Sequence, residues 1–418
     1  MKRILPVIAA GLGLGLVLSG LHAKPSQAMP PFAQALGVNC DTCHTMVPML
    51  NAYGRYVQST AYSAIDHDQL VKEFPAWIDY SVESDYGPGA GAGTGVARNS
   101  FGNLSIHALG YLSPDITYHF QDWLISGDST ANVLDTFWVS YNKLFQRQGH
   151  LFVGLLEAPA PSVYSMSMDL DGPGASSTLV GEHDWSYTIG NRWGTKLAYI
   201  HNWLNLEGGY LLSDDPNFHG LTDFGGAYGS ANCPNGNEYC YFDNSNTEKT
   251  FAWKAAYASP KKPVEAGLFG SFGTIQVSTG TDQYNSVAAY VQVDPGKHYV
   301  PGVLAIYQTG HDSNPGVSSI SGNVMPATDS TGSSFELFEP IFRGNAVVSL
   351  RHDFNGNNYD GQMFNGNYLN VGFNIPGVRY LHGYVEALMG GASELAGDTG
   401  APTFKSMLWL ALPVERAK

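Results

Sequence analysis

Ile78-Asp79-Tyr80-Ser81-Val82-Glu83-Ser84-Asp85-Tyr86 alternates with a period of two. Ile78, Tyr80, Val82, Ser84 and Tyr86 are apolar or small, and Asp79, Ser81, Glu83 and Asp85 between them are acidic or hydroxylic. A helix would place its apolar residues three and four apart, so this spacing predicts a strand with one greasy and one wet face. Similar segments follow at about 103–112, 116–125, 132–143, 149–157, 190–200 and 203–213, then at about 249–258, 263–273, 284–294, 300–310, 334–342, 345–355, 366–376, 378–389 and 403–413. That makes about sixteen, most of them close to the roughly 9–11 residues of a tilted membrane strand, and an even number lets both ends of a barrel finish on one side.

The connections carry the more discriminating signal. Short turns such as Ser113-Pro114-Asp115, Ser259-Pro260-Lys261-Lys262-Pro263, Asp294-Pro295-Gly296 and Pro376-Gly377 alternate with long polar stretches at about 87–102, 158–189, 214–248, 311–333, 356–365 and 390–402. Short turns at one rim and long loops at the other mark an outer-membrane barrel, whereas a soluble β-sandwich needs no such asymmetry. The strands end on Tyr80, Tyr86, Tyr111, Tyr141, Tyr210, Tyr257, Phe272 and Tyr307, which would form interfacial girdles. Asp79, Glu83, His107, His119, Lys254, Arg351, His382 and Glu386 fall on the opposite, lumen face. The final strand is the least supported, because Pro413–Lys418 follow it where barrels usually finish on an aromatic residue.

Composition agrees with this reading. Only 14% of the 418 residues are charged and 49 are glycine, against roughly a quarter charged in soluble proteins. Beyond the N-terminus no apolar run approaches the roughly 20 residues of a membrane helix. The net charge of −15 excludes nucleic acid as a partner and favours cations. Lys2 and Arg3 precede an apolar run from Ile4 to Leu21, and small residues at Ala23 and Ala28 offer cleavage sites, so residues 1–28 read as a secretory signal peptide. The chain thus divides into that signal, a compact segment at 29–76 and a barrel at 77–418.

The compact segment contains Cys40-Asp41-Thr42-Cys43-His44. Two thiols at this spacing followed by histidine read as covalent attachment of one haem c, with Cys40 and Cys43 forming the thioethers and His44 as the proximal iron ligand. No second cysteine or histidine pair completes a zinc site, and no βαβ pattern suggests a thioredoxin-like pair. Pro48 can open a helix whose Leu50, Tyr53, Gly54 and Val57 share one face. A segment this small cannot enclose a haem by itself, so it is expected to dock in the lumen of the barrel. Met46 lies too close to His44 to reach the opposite face. Met49, His67, Met166, Met168, His107 and His119 are candidates for the distal ligand. Cys233 and Cys240 bracket a polar stretch and suit a loop disulfide in an oxidising compartment.

Pro31-Phe32-Ala33, Gly37, Cys40 to Thr45, Pro48, Leu50-Asn51 and Tyr53-Gly54-Arg55 resemble the haem segment of the fused cytochrome–porins, outer-membrane monohaem cytochromes c of iron-oxidising bacteria. The match covers about positions 30–62, and the rest agrees in layout alone. The resemblance implies a ferrous iron:cytochrome oxidoreductase in the bacterial outer membrane, with its loops extracellular and its haem module in the lumen or on the periplasmic side. It also implies Fe(II) as electron donor, a periplasmic cytochrome c or cupredoxin as acceptor, and Cys40, Cys43 and His44 as the functional residues. Two other functions fit the same pattern: a surface electron conduit with another donor or direction, and a passive porin whose N-terminal segment is only a plug.

Overall fold

The computed structural model describes residues 32–413 apart from 34–35, 39, 48, 71–75, 87–96, 127–132, 162–177, 181–182, 186–191, 213–248, 278, 297–298, 318–322, 360, 376–379 and 390–402. The signal segment, Met166, Met168, Cys233 and Cys240 therefore lie outside the described residues.

Sixteen antiparallel strands close into one barrel. In chain order they are β1 (Ala76–Tyr86), β2 (Ala97–Ser113), β3 (Ile116–Ser126), β4 (Val133–Leu144), β5 (Gly149–Leu156), β6 (Arg192–His201), β7 (Leu204–Leu212) and β8 (Lys249–Ala258). There follow β9 (Val264–Val277), β10 (Gly280–Val293), β11 (Gly302–Asp312), β12 (Thr328–Ile341), β13 (Ala346–Asn357), β14 (Gly361–Asn374), β15 (Leu381–Met389) and β16 (Thr403–Pro413). Each strand pairs with its neighbour in sequence, and β16 closes on β1 with Pro413 opposite Trp77 and Phe404 opposite Tyr86. The residues after Pro413 thus do not prevent the last strand from sealing the sheet, and closure removes every edge.

One rim is joined by 114–115, 145–148, 202–203, 259–263, 294–301, 342–345 and 375–380, and the start of β1 and end of β16 lie there too. At the opposite rim β5 ends at Leu156 and β6 begins at Arg192, β7 ends at Leu212 and β8 begins at Lys249, β11 ends at Asp312 and β12 begins at Thr328, and β15 ends at Met389 and β16 begins at Thr403. Three expected loops are shorter than their composition suggests: 97–102 belongs to β2, 328–333 to β12, and only 358–360 separates β13 from β14. Stretches such as Asn355-Gly356-Asn357 pair through backbone hydrogen bonds, which need no apolar alternation and so leave no period-two signal.

The alternation sorts the faces as expected. Val82, Val153, Leu197, Leu268, Val287 and Leu350 are exposed on the outside. Asp79, Glu83, His107, Lys254, Arg351, His382 and Glu386 are buried inside. Tyr141, Tyr210, Tyr257, Phe272 and Tyr307 face outward, but Tyr111 does not. Its hydroxyl donates to Ile65 O at 2.6 Å, so it belongs to the interior contact rather than to a girdle.

The N-terminal segment lies inside the barrel. A single 3₁₀ turn, Cys40–Thr42, leads into a two-stranded ribbon, His44–Met46 against Met49–Leu50, followed by helix α1 (Ala52–Ser59) and the single turn α2 (His67–Leu70). The segment is thus only partly helical. α1 begins after Asn51, whose side-chain oxygen accepts from the amides of Tyr53 and Gly54 at 3.0 Å, and not at Pro48. The side-chain Nδ2 of Asn51 also donates to the carbonyls of Asp41 and Thr42, tying the cysteine loop to the helix. Asn51→Ala is expected to cost about 1–2 kcal/mol in thermal or denaturant unfolding, the upper range for a lost helix cap. The helix ends as Ala61 and Tyr62 turn into the left-handed region, with the Tyr62 amide donating to Val57 O. That turn stacks Tyr62 on Trp138 of β4, with centroids 5.6 Å apart, while Phe32 makes an edge contact with Tyr62 at 5.4 Å.

Candidate functional site

Three side-chain contacts that seat the segment lie near the rim of short turns. Tyr384, close to the start of β15, donates to Val47 O at 2.6 Å. Thr45 Oγ1 donates to a carboxylate oxygen of Asp294, in the turn after β10. Arg55 donates through Nε to Glu265 Oε2 at 2.7 Å and through Nη1 to Leu50 O at 2.8 Å, with both charged side chains buried. Behind Glu265 stands a lumen network: Tyr290 donates to Glu265 Oε1 at 2.7 Å, and Lys254 lies 3.7 Å from Glu265 and 3.2 Å from Glu207. The buried charges are thus paired and hydrogen-bonded, as a low-dielectric interior requires.

Between this plug and the wall lies a cavity of ≈ 240 Å³, in ≈ 1480 Å³ of atom-free space that includes open solvent. Cys43 and His44 line it, facing apolar groups that include Val57, Tyr62, Trp77, Trp138, Phe152 and Trp409. Gly54 brings α1 directly against the cysteine loop: a Cβ there would lie 2.0 Å from Cys43 O. His44 is buried, while the Cys43 side chain is half-buried. Burial pushes the Cys43 thiol up to about 11, so it stays protonated at neutral pH. A protonated, half-buried thiol is not poised as a redox nucleophile. The backbone of Cys40 sits in the turn before it; its side chain is outside the described residues.

Two of the four described distal-ligand candidates reach the cavity, and two do not. His107 and His119 line it. Met49 is fully buried elsewhere, packed among Met46, Phe338, Val347, Tyr384 and Met407. Its side chain turns away because residues 49–50 form the second strand of the ribbon. His67 sits on α2, against Tyr111 and with Nδ1 2.8 Å from Asp68, and is not part of the lining. His382, legible in sequence only as a lumen residue, joins the lining, as do three tryptophans near the short-turn rim. The buried role of Arg55 has no sequence signal, since an arginine on a short helix reads as surface.

The donor set suits a haem. An imidazole, an adjacent cysteine, a largely apolar slot and further histidines share one space.

No protein-family profile and no curated protein sequence matches the chain. Solved structures do. An anion-selective porin from Comamonas acidovorans superposes with a TM-score of 0.54 at 11% identity, covering 81% of this chain and 98% of that one. The Salmonella typhi OmpF, in complex with daunomycin, gives 0.53 at 8% identity over 81% and 97%. The barrel has the porin fold. A Vibrio cholerae OmpT variant lacking loop L8 agrees, with 0.51 at 12% identity over 80% and 98%. At these identities the likeness carries the porin architecture and nothing of the chemistry within it.

Proposed function

We propose that the chain is a bacterial outer-membrane porin-fold protein whose lumen holds a haem-bearing plug, and that it conducts electrons from extracellular Fe(II) to a periplasmic cytochrome c or cupredoxin. The observation that carries this reading is the placement of Cys43 and His44 on an apolar cavity inside the lumen. The outer band of exposed Val and Leu and the fold's likeness to porins support the membrane location. Asymmetry of the rims supports the orientation: short turns face the periplasm, so the plug sits at the periplasmic half, where a soluble carrier can approach.

Cys40 and Cys43 would hold the group covalently, and His44 would ligate its iron. When bound, haem supplies a one-electron redox centre whose potential depends on axial ligand and burial. Residues of the plug and of the wall do the remainder. Arg55, Thr45 and Val47 fix the segment to the wall, and Tyr62, Trp77 and Trp138 keep water from the slot. Each Fe(II) gives up one electron and the acceptor gains one, so iron itself need not cross.

The test is a haem stain and absorption spectrum of the detergent-solubilised protein, followed by mixing of its ferric form with Fe(II). We expect covalent haem and reduction by Fe(II). Cys43→Ala is expected to lose covalent haem almost completely, and His44→Ala to abolish the proximal ligation. A passive porin with a plug is the second reading, favoured by the channel-forming structures the barrel resembles. It wins if the wild-type protein stains negative and reconstituted barrels pass solutes.

A further inference from the structure

Three wall histidines share the cavity with Cys43 and His44: His107 on β2, His119 on β3 and His382 on β15. A metal-bound imidazole usually donates its other ring nitrogen to an oxygen acceptor, which fixes the tautomer and aims the free lone pair. His107 meets this condition only through its inner nitrogen: its Nε2 is 2.8 Å from Asp79 Oδ2 and 2.8 Å from Ser105 Oγ, which leaves Nδ1, the nitrogen nearer its own backbone, as the lone pair, and its ring lies flat on Trp77 at 4.5 Å. His119 does not meet it. It is set edge-on to both Tyr62 and Trp138, its Nδ1 makes only a long 3.4 Å contact with the Tyr62 hydroxyl, and protein atoms cover its Nε2.

His382 meets it. Its Nδ1 lies 2.9 Å from Asn374 Oδ1, an acceptor, so Nδ1 carries the proton and Nε2 the lone pair. His382 is 1% exposed, its ring rests against Trp409 at 5.4 Å, and it lines the same cavity as His44. We infer that His382 is the second protein ligand of the haem iron, offered from the barrel wall, with Asn374 as its positioning residue. This rests on the haem reading above. One ligand then comes from the plug and the other from the wall, so the iron would join the two parts of the molecule.

The experiment uses the full-length protein in detergent and reads ferric spin state by absorption and electron paramagnetic resonance. Wild type is expected to be low-spin with two imidazoles. His382→Ala is expected to become high-spin and to return to low-spin when free imidazole is added, a rescue that a merely structural role would not give. His382→Met, which keeps a ligand and most of the volume, is expected to stay low-spin with a methionine-ligated spectrum and a higher potential. Asn374→Ala is expected to show a partial high-spin fraction. His119→Ala and His107→Ala are expected to keep the wild-type spectrum. A low-spin spectrum in His382→Ala identical to wild type overturns the assignment, as does loss of low-spin haem in His119→Ala alone. A haem stain of the same samples on a denaturing gel separates the two claims. An unstained wild type overturns the haem reading itself, whereas a stained protein with an unaltered His382→Ala spectrum overturns only the ligand.

Discussion

Arg55→Ala is expected to loosen the plug while leaving the barrel folded. Arg55 is the one described ion-pair partner that α1 offers the wall, through a buried 2.7 Å contact with Glu265. Removing one member of such a pair costs about 3–5 kcal/mol, because the other charge stays buried. Here Lys254 at 3.7 Å and the Tyr290 hydroxyl at 2.7 Å still face Glu265, which points to the lower end, about 3 kcal/mol. Arg55 also holds Leu50 O, so its loss frees the end of the ribbon next to the cysteine loop. Arg55→Lys keeps the charge but cannot reproduce two contacts from one planar fork, so it should fall between wild type and alanine. Tyr384→Phe, which removes a single hydrogen bond to Val47 O, should cost about 1 kcal/mol. Single-channel recording in planar bilayers is the direct measurement: wild type should show small, steady conductance and Arg55→Ala larger, fluctuating openings. Equal conductance in the two proteins would mean that Arg55 does not hold the plug.

The barrel was legible because membrane strands impose their period on side chains. Ile78 to Tyr86 alternates because each odd position meets the lumen and each even one the outside, and the same logic placed Lys254, Arg351 and His382 inside. What was lost lies where that constraint lapses. The ends of β2, β12 and β14 are polar stretches without a period-two pattern, and Tyr111 faces the plug because the plug, not lipid, is its neighbour. The cysteine motif suggests its chemistry through spacing alone. Its surroundings could not be read, since they come from contacts hundreds of residues apart: Val47 with Tyr384, Arg55 with Glu265. Met49 shows the cost of arguing from proximity in sequence. It is five residues from His44, yet the ribbon turns it into a separate apolar cluster. His382 is 338 residues away and shares the cavity.

Gly54→Ala should have the largest effect of any single methyl group added to the plug. An ideal Cβ at this position would lie 2.0 Å from the Cys43 carbonyl oxygen and 2.9 Å from Leu50 Cδ2. A side-chain tip could move aside, but the carbonyl cannot: it already accepts the Asn51 amide at 2.9 Å and is the last peptide group before His44. Either α1 backs away from the loop and loses that hydrogen bond, or Cys43 and His44 are driven toward the cavity. Overpacking of this kind costs about 1–3 kcal/mol, and a backbone partner puts it at the upper end. Gly37→Ala is the informative comparison. Gly37 has a φ of +63° and nothing within 4 Å of a Cβ, so its replacement should cost only the left-handed penalty of about 1–2 kcal/mol and leave the haem loop in place. Thermal unfolding and covalent haem per chain together check the pair. Gly54→Ala should lower both, and Gly37→Ala the melting temperature alone. Wild-type haem content and melting temperature in Gly54→Ala would show that α1 does not press on the cysteine loop. The position of His44 in the cavity would then need another explanation.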